Sequence, residues 1–95
     1  MSEIGRLRAL VSKVATREIL DAAIETGRIQ YKDLTKFASV SSINQRLREL
    51  ENCKLIEHHI AREERREEWY TPTEQGKKFR DLLLEIEELD ESLDI

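Results

Sequence analysis

The polar side chains best suited to recognising another molecule are concentrated in the segment 41–48. If Ile43, Leu47 and Leu50 form the buried stripe of a helix, the other side chains of this segment point outward or lie on its flanks. Asparagine and glutamine pair bidentately with adenine, arginine pairs bidentately with guanine, and serine bonds to several bases. This chemistry predicts a surface that reads DNA base pairs through Asn44, Gln45 and Arg48, with Ser41, Ser42 and Arg46 beside them.

A second group of basic side chains, Arg62, Arg65 and Arg66, lies in the segment 62–66, which is entirely charged. Guanidinium groups bind phosphate oxygens, so these arginines are candidates for contacts with a DNA backbone. Glu63 and Glu64 lie between them and lower the local positive potential. A merely solvated charged surface is therefore the alternative here, as it is for the segment 41–48. Supporting helices are predicted to add three further backbone contacts: Arg17, Lys32 and Lys36.

Residue types that carry catalysis or bind metals do not form a convincing site in this sequence. It contains neither GxGxxG nor GxxxxGK, and no nucleophile is matched with a plausible histidine and carboxylate. His58 and His59 are adjacent on an expected strand, so their rings point to opposite faces and cannot share a zinc ion. For Cys53, the single cysteine, inert packing is favoured over thiol sensing. We expect no enzyme activity, no cofactor and no metal; a small-molecule effector stays an open question.

The elements that position these side chains follow from apolar periodicity, capping residues and turn residues. Three or four helices followed by a β-hairpin form the winged helix-turn-helix arrangement, in which the last of these helices enters the major groove and the hairpin reaches the backbone or minor groove. We expect one mainly α domain over 1–95. Its first helix, over 1–14, is either separate from or continuous with a second helix that is capped by Thr16 and ended by Gly27. A short helix over 31–38, a helix over about 41–53 capped by Ser41 or Ser42, a hairpin over 55–71 and a last helix over 73–93 follow.

The last helix carries an apolar stripe that is longer than a small winged helix can cover by itself. Six of its residues fall within about 120° of arc at 100° per residue. This pattern favours homodimerisation through the helix over packing within one chain, with help from the apolar face of the first helix. The predicted dimer residues are Phe79, Leu82, Leu83, Ile86, Leu89 and Leu93, together with Ile4, Leu7 and Val11.

The charge distribution decides whether an acidic protein can still bind nucleic acid. The net charge is −4, but residues 81–95 contain seven acidic residues and no basic ones, which leaves 16 basic and 13 acidic residues over 1–80, a net of +3. A locally basic face is therefore compatible with the composition. The acidic surface also keeps open a winged-helix protein-interaction module that does not bind DNA. The longest apolar run, 82–84, is too short to span a membrane, so we expect a cytoplasmic protein.

Four stretches of the sequence are similar to a known family. They are REIL at 17–20, YKDL at 31–34, INQRLRELE at 43–51 and YTPTEQG at 70–76. The region from 16 to 76 resembles the HxlR-type winged-helix regulators, which are relatives of the MarR group. The resemblance implies a dimeric transcription factor that binds a pseudo-palindromic DNA site.

Two positions depart from the pattern of these families. Lys54 stands where glycine is usual before the wing, so we expect the turn to close with Asn52 in a left-handed conformation. Pro72 stands where an apolar residue is usual, and because proline has no backbone donor it is expected to end the second strand.

Overall fold

The structure is a computed structural model that describes residues 5–93. Its helices are followed by a two-stranded antiparallel sheet and a long C-terminal helix, which confirms the expected winged-helix arrangement. Among the described residues, no helix combines the length and the apolar composition needed to cross a bilayer. In chain order the elements are α1 (Arg6–Val11), α2 (Thr16–Thr26), a 3-10 turn (Tyr31–Asp33), α3 (Val40–Asn52), β1 (Ile56–Ala61), β2 (Glu67–Pro72) and α4 (Glu74–Leu93).

The N-terminal helix is shorter than the three turns predicted over 1–14, and it turns a different face to the core. α1 buries Leu10. Leu7 and Val11, which belong to the predicted stripe, are exposed. Ile4 lies outside the described residues. The apolar periodicity of this segment therefore marks a surface of the molecule rather than its interior.

α1 and α2 are separate helices, because the chain breaks at Ala15. The φ of this residue is 73°, in the left-handed region, and no side chain caps the start of α2. The prediction that Thr16 is the cap is wrong: Thr16 is the first helical residue, and its buried hydroxyl has no hydrogen-bond partner among residues 5–93. Gly27 ends α2 with a φ of 87°, as predicted, because glycine adopts this conformation without a steric penalty.

A single 3-10 turn replaces the short helix predicted over 31–38. The hydroxyl of Thr35 donates to the carbonyl of Lys32 at 3.2 Å. In a continuing α-helix a backbone amide would donate to this carbonyl, so the side chain competes with the helical hydrogen bond. Leu34 is nevertheless fully buried. The segment thus contributes to the core as expected although it is not a regular helix.

α3 begins two or three residues earlier than the predicted caps Ser41 and Ser42 imply. The cap is Ser39, whose extended backbone precedes the helix and whose hydroxyl accepts the Ser42 amide hydrogen bond at 3.3 Å. Val40 therefore becomes the first helical residue. The inward stripe is as predicted, since the structure buries Ile43, Leu47 and Leu50.

The hydrophobic core lies where α2, α3, the base of the hairpin and the first half of α4 meet. Phe79 and Leu83 of α4 belong to this core, so they do not lie on the surface where they are predicted to pair with a second chain. Their burial within one chain fixes α4 against the rest of the domain. The buried apolar residues include Ile19, Leu20, Ala23, Ile29, Leu34, Ile43, Leu50, Leu55 and Ile56.

The hairpin joins β1 and β2 in an antiparallel register that places Ile56 opposite Pro72 and Ala61 opposite Glu67. β2 ends at Pro72, as predicted. Ile29 exchanges two backbone hydrogen bonds with Tyr70, of 2.9 and 2.8 Å, and so attaches the connector after α2 to the sheet. The hairpin, which we call the wing, is therefore tied to the helical core along its second strand.

The turn between α3 and the wing closes at Lys54, and the prediction of a left-handed Asn52 is wrong. Asn52 is the last residue of α3, whereas Lys54 has a φ of 62°. The amide of Lys54 donates to the carbonyl of Glu51, and the amide of Leu55 donates to that of Leu50, both at 2.9 Å. This is the hydrogen-bond pattern of a Schellman motif. Lysine thus adopts the conformation that glycine usually provides.

The wing and α4 meet in a close backbone contact formed by Leu55, Thr73 and Gly76, which we call the wing junction. The hydroxyl of Thr73 donates to the carbonyl of Lys54 at 2.7 Å and accepts the Gly76 amide hydrogen bond at 2.9 Å. The Thr73 amide donates to the Leu55 carbonyl at 3.1 Å. A Cβ atom on Gly76 would lie 2.1 Å from that carbonyl oxygen. Thr73 thus caps α4, which begins one residue later than the predicted start at position 73, and Gly76 permits the contact.

A charged network ties α3 to the segment between α1 and α2. The Nε atom of Arg46 donates to the carbonyl of Val14 at 2.8 Å, and its terminal nitrogen pairs with Glu49. Lys13 binds the same carboxylate at 2.9 Å. Burial opposes ionisation of Glu49, but the hydrogen bonds from Lys13 and Arg46 outweigh it, so the pKa of Glu49 lies below its ordinary value.

We expect Gly76→Ala to destabilise the fold. The added methyl group collides with the Leu55 carbonyl, and backbone cannot rotate away as a flexible side chain can. Overpacking of this kind costs about 2 kcal/mol, which lowers the midpoint of thermal unfolding by roughly 10 °C in a domain of this size. Gln75→Ala, at the exposed neighbouring position, is the control and should unfold as the wild type does. An unchanged midpoint for Gly76→Ala would contradict the wing junction.

Acid stability tests the network around Glu49. Since its pKa is lower in the folded chain than in the unfolded chain, its stabilising effect is present above the unfolded pKa and is lost as the pH falls through the folded pKa. Urea unfolding at a series of pH values should show a smaller acid-dependent loss in Glu49→Gln than in the wild type. Glu51→Gln, an exposed position on the same helix, should keep the wild-type profile. Identical profiles for all three proteins would refute the network.

Candidate nucleic-acid interface

The outward face of α3 carries most of the polar residues predicted to read bases. Ser41, Asn44, Gln45 and Arg48 are exposed, and Ser42 is half-buried beside the Ser39 cap. The helix is held from below by its buried stripe, so these side chains project from a fixed support. Their position on one helix follows from the same periodicity that places the apolar residues inward.

Three of these side chains are not engaged by the part of the chain that the structure describes. Asn44, Gln45 and Arg48 form no side-chain hydrogen bond or ion pair with any residue in the range 5–93. Elsewhere in the described fold, arginine side chains at positions 17, 46 and 80 are held by carboxylates. The two amide groups and the guanidinium group can therefore form hydrogen bonds with another molecule without first breaking a contact to residues 5–93.

Arg46 does not lie on the outward or flanking surface predicted for it. It is 6% exposed, and its guanidinium is bound by the Val14 carbonyl and by Glu49. Periodicity alone predicts a flank of α3 for Arg46, because it gives the angle of a residue around the helix but not how far its side chain reaches inward. Arg46 is therefore a structural residue of this fold rather than a candidate contact.

Arg17 is likewise occupied within the chain. Its Nε atom pairs with Asp21 at 2.7 Å, and a terminal nitrogen pairs with Glu87 of α4. Arg80 binds the other oxygen of Asp21 at 3.1 Å. These pairs connect α2 to α4, so Arg17 serves the packing of these helices and is not brought together with the exposed face of α3.

The remaining predicted cations are exposed. Arg62 and Arg65 at the wing tip have no ion-pair partner among the described residues, whereas Arg66 pairs with Glu68 at 3.3 Å. Lys32 is exposed in the 3-10 turn before α3, and Lys36 is exposed with its ammonium group 5.3 Å from the Phe37 ring centre. Cations thus lie before α3 and at the tip of the wing.

Aromatic pairs stiffen both faces of the wing. His58 stacks on Tyr70 with ring centres 4.7 Å apart, and His59 stacks on Trp69 at 5.4 Å. The two histidines therefore lie on opposite faces, as predicted. Burial raises the pKa of Tyr70, which packs against the core. Among residues 5–93, no group of three or more histidine, cysteine, aspartate or glutamate side chains is arranged to hold a metal ion.

Val40 is a further candidate contact residue, which the predicted caps Ser41 and Ser42 do not place in the helix. Val40 is the first residue of α3 and is 59% exposed, an unusual position for a β-branched apolar side chain. It lies next to the exposed Ser41 at the helix start. The sequence signal for this residue is an apolar side chain directly after Ser39, and it is informative only if Ser39, rather than Ser41 or Ser42, is the helix cap.

A separate apolar surface is shared by α1 and α4. Leu7 and Val11 of α1 border a groove of about 180 Å³ with Leu82 and Ile86 of α4. Further along α4, Leu89 and Leu93 are 67% and 79% exposed. These six residues, which we call the helical seam, are those of the predicted dimer set that remain outside the core.

The comparisons with known proteins agree with this geometry. The family model described as HxlR-like helix-turn-helix matches residues 10–93, which include α2, α3, the wing and all of α4. Searches of curated proteins and of solved structures give no significant match. The match covers well over half of the chain, so this protein belongs to the HxlR-like helix-turn-helix family of DNA-binding transcription regulators.

Proposed function

We propose that this protein binds double-stranded DNA as a homodimer, with α3 as the recognition helix in the major groove and the wing on the backbone or in the minor groove. The observation that carries the proposal is that Asn44, Gln45 and Arg48 are exposed on one face of α3 and pair with no residue in the range 5–93. Recognition helices present such side chains near their N-terminal half. The family relationship supports the same reading.

The roles of the α3 residues follow from their chemistry. Arg48 donates two hydrogen bonds to the edge of guanine, while Asn44 and Gln45 are matched to adenine. Val40 offers a methyl group to the thymine methyl, and Ser41 bonds to a base or a phosphate at the helix start. Arg46 contributes indirectly, because it fixes the helix through Val14 and Glu49.

Phosphate contacts come from cations on either side of α3. Lys32 and Lys36 precede the helix, and Arg62, Arg65 and Arg66 surround the wing tip. Backbone contacts of this kind set affinity and register rather than sequence preference. Residues 81–95 contain seven acidic residues and no basic ones, so the segment 1–80, which carries this cationic set, has a net charge of +3.

Homodimerisation is supported by the helical seam. Leu89 and Leu93 are apolar, highly exposed and beyond the part of α4 that contacts the core. A contiguous apolar surface on a small chain marks an interface. In a two-fold dimer the same surface meets itself, so α1 and α4 of one protomer would cover those of its partner.

The base-reading role of Arg48 can be tested after selection of preferred duplexes from a random pool. Arg48→Ala should lose about 1–3 kcal/mol on the preferred duplex and discriminate less at one base pair. Arg65→Ala should weaken all duplexes alike and lower the slope of log affinity against log salt by about 1. Fluorescence anisotropy at several salt concentrations measures both effects.

Two results would contradict the assignment. An Arg48→Ala protein with wild-type affinity and selectivity would show that α3 does not read bases. Absence of duplex binding by the wild type even at low salt would favour a protein-interaction module instead. Thermal unfolding should be the same for Arg48→Ala and the wild type, because Arg48 has no partner within the described chain.

The helical seam can be tested by placing a charge at its exposed end. Leu89→Glu should shift the protein from dimer to monomer in sedimentation equilibrium, since an unpaired carboxylate is costly in an apolar interface. Ser92→Glu adds the same charge outside the apolar row and should leave the dimer intact. The seam would be refuted if Leu89→Glu and Ser92→Glu had the same oligomeric state.

A further inference from the structure

A cleft of about 390 Å³ lies where α1, α4 and the turn after α3 meet. Leu55 and Phe79 are buried and form its apolar base, and Leu7 and Leu82 are partly exposed at its sides. Its volume is near the lower end of the range of about 300–1,000 Å³ that is typical of small-molecule sites. The cleft is distinct from the exposed face of α3 and from the wing tip. Its remaining lining residues are Cys53, Lys54, Gln75 and Lys78.

Two lysines, Lys54 and Lys78, are among the residues that line this cleft, and both are exposed. Neither Lys54 nor Lys78 forms an ion pair within the described part of the chain. Lys13 and Lys77, by contrast, are paired with glutamates at 2.9 and 3.2 Å. In a chain whose net charge is −4, two unpaired cations beside apolar side chains are a notable local excess.

We propose that this cleft binds a small amphipathic organic anion, an apolar body with one carboxylate. The apolar part would lie against Leu55, Phe79 and Leu82, and the carboxylate would bind Lys78, Lys54 or both. A few polar groups that orient a ligand within a mainly apolar lining are the common design of small-molecule sites. Gln75, one helical turn before Lys78 and Phe79, adds a neutral donor on the same side of α4.

The position of the cleft gives its occupant access to the DNA-binding surface. Cys53 is the C-cap of α3 and Lys54 closes the following turn, so a bound anion contacts the C-terminal end of that helix. Leu7 and Leu82 belong also to the helical seam. On the proposed function, on which this step rests, the ligand acts as an effector that changes the affinity of the protein for its DNA site.

Decanoate, below its micelle concentration, is a suitable probe of binding. Calorimetry on the full chain should show saturable binding of decanoate, with decanol and decylamine binding at least tenfold more weakly. Lys78→Met keeps the apolar stem but removes the charge and should weaken decanoate binding about threefold to tenfold. Lys77→Met removes the same charge from the neighbouring position and should bind as the wild type does.

Cys53 provides a second readout that is independent of heat signals. It is the single cysteine of the chain and lines the cleft. Saturating decanoate should slow its alkylation by iodoacetamide at least threefold in the wild type, and much less in the double variant Lys54→Met, Lys78→Met. Equal protection by decanol, or no protection by decanoate, would overturn the proposal.

Measurement of oligomeric state and DNA binding separates this inference from the proposed function. If the Leu89→Glu monomer binds decanoate but the dimeric wild type does not, a second copy of the chain fills the cleft and the ligand proposal is wrong. If the protein binds duplex DNA but not decanoate, the cleft inference fails and the proposed function stands. If decanoate binds with the expected charge dependence but no duplex is bound, the anion site stands and its effector role fails with the proposed function.

Discussion

The arrangement of the whole domain depends on one backbone contact, the approach of Gly76 to the carbonyl of Leu55. The chain enters the wing at Leu55 and leaves it at Thr73, and the two points are held together by the Thr73 hydroxyl and amide. Any side chain at position 76 would occupy the space of that carbonyl. Because α3 ends immediately before this point and α4 begins immediately after it, the contact sets the angle between α3, the wing and the helical seam.

Much of this fold could be predicted from the sequence because apolar periodicity and glycine are local signals. The buried stripe of α3 and the left-handed Gly27 follow from spacing and residue type alone. Capping was less predictable, since Ser39, Ser41 and Ser42 have the same hydroxyl, and the choice depends on which backbone is extended. Residue type does not predict a positive φ at Lys54; in this fold the Schellman hydrogen bonds and the bond from the Thr73 hydroxyl to the Lys54 carbonyl hold that conformation.

The candidate site was predictable to a smaller extent, for a related reason. Helical angle identified Asn44, Gln45 and Arg48 as outward, but it could not show that a carbonyl 32 residues away accepts a hydrogen bond from Arg46. The same applies to Arg17, whose second partner lies in α4. Arginine side chains are long enough to reach partners that only the tertiary fold brings near. Their roles are therefore the least secure part of any reading from sequence.

The junction between the wing and α4 contains no flexible linker: β2 ends at Pro72, α4 begins at Glu74, and Thr73 between them is bonded on both sides. A helix of this length extends about 30 Å, so in the proposed dimer the two recognition helices are joined through rigid elements alone. The fixed distance between the two α3 helices of that dimer would then determine which separation between the two halves of a DNA site can be bound. A single base pair inserted at the centre of the site rotates one half-site relative to the other. The rigid junction between the wing and α4 would not allow the two α3 helices to follow this rotation.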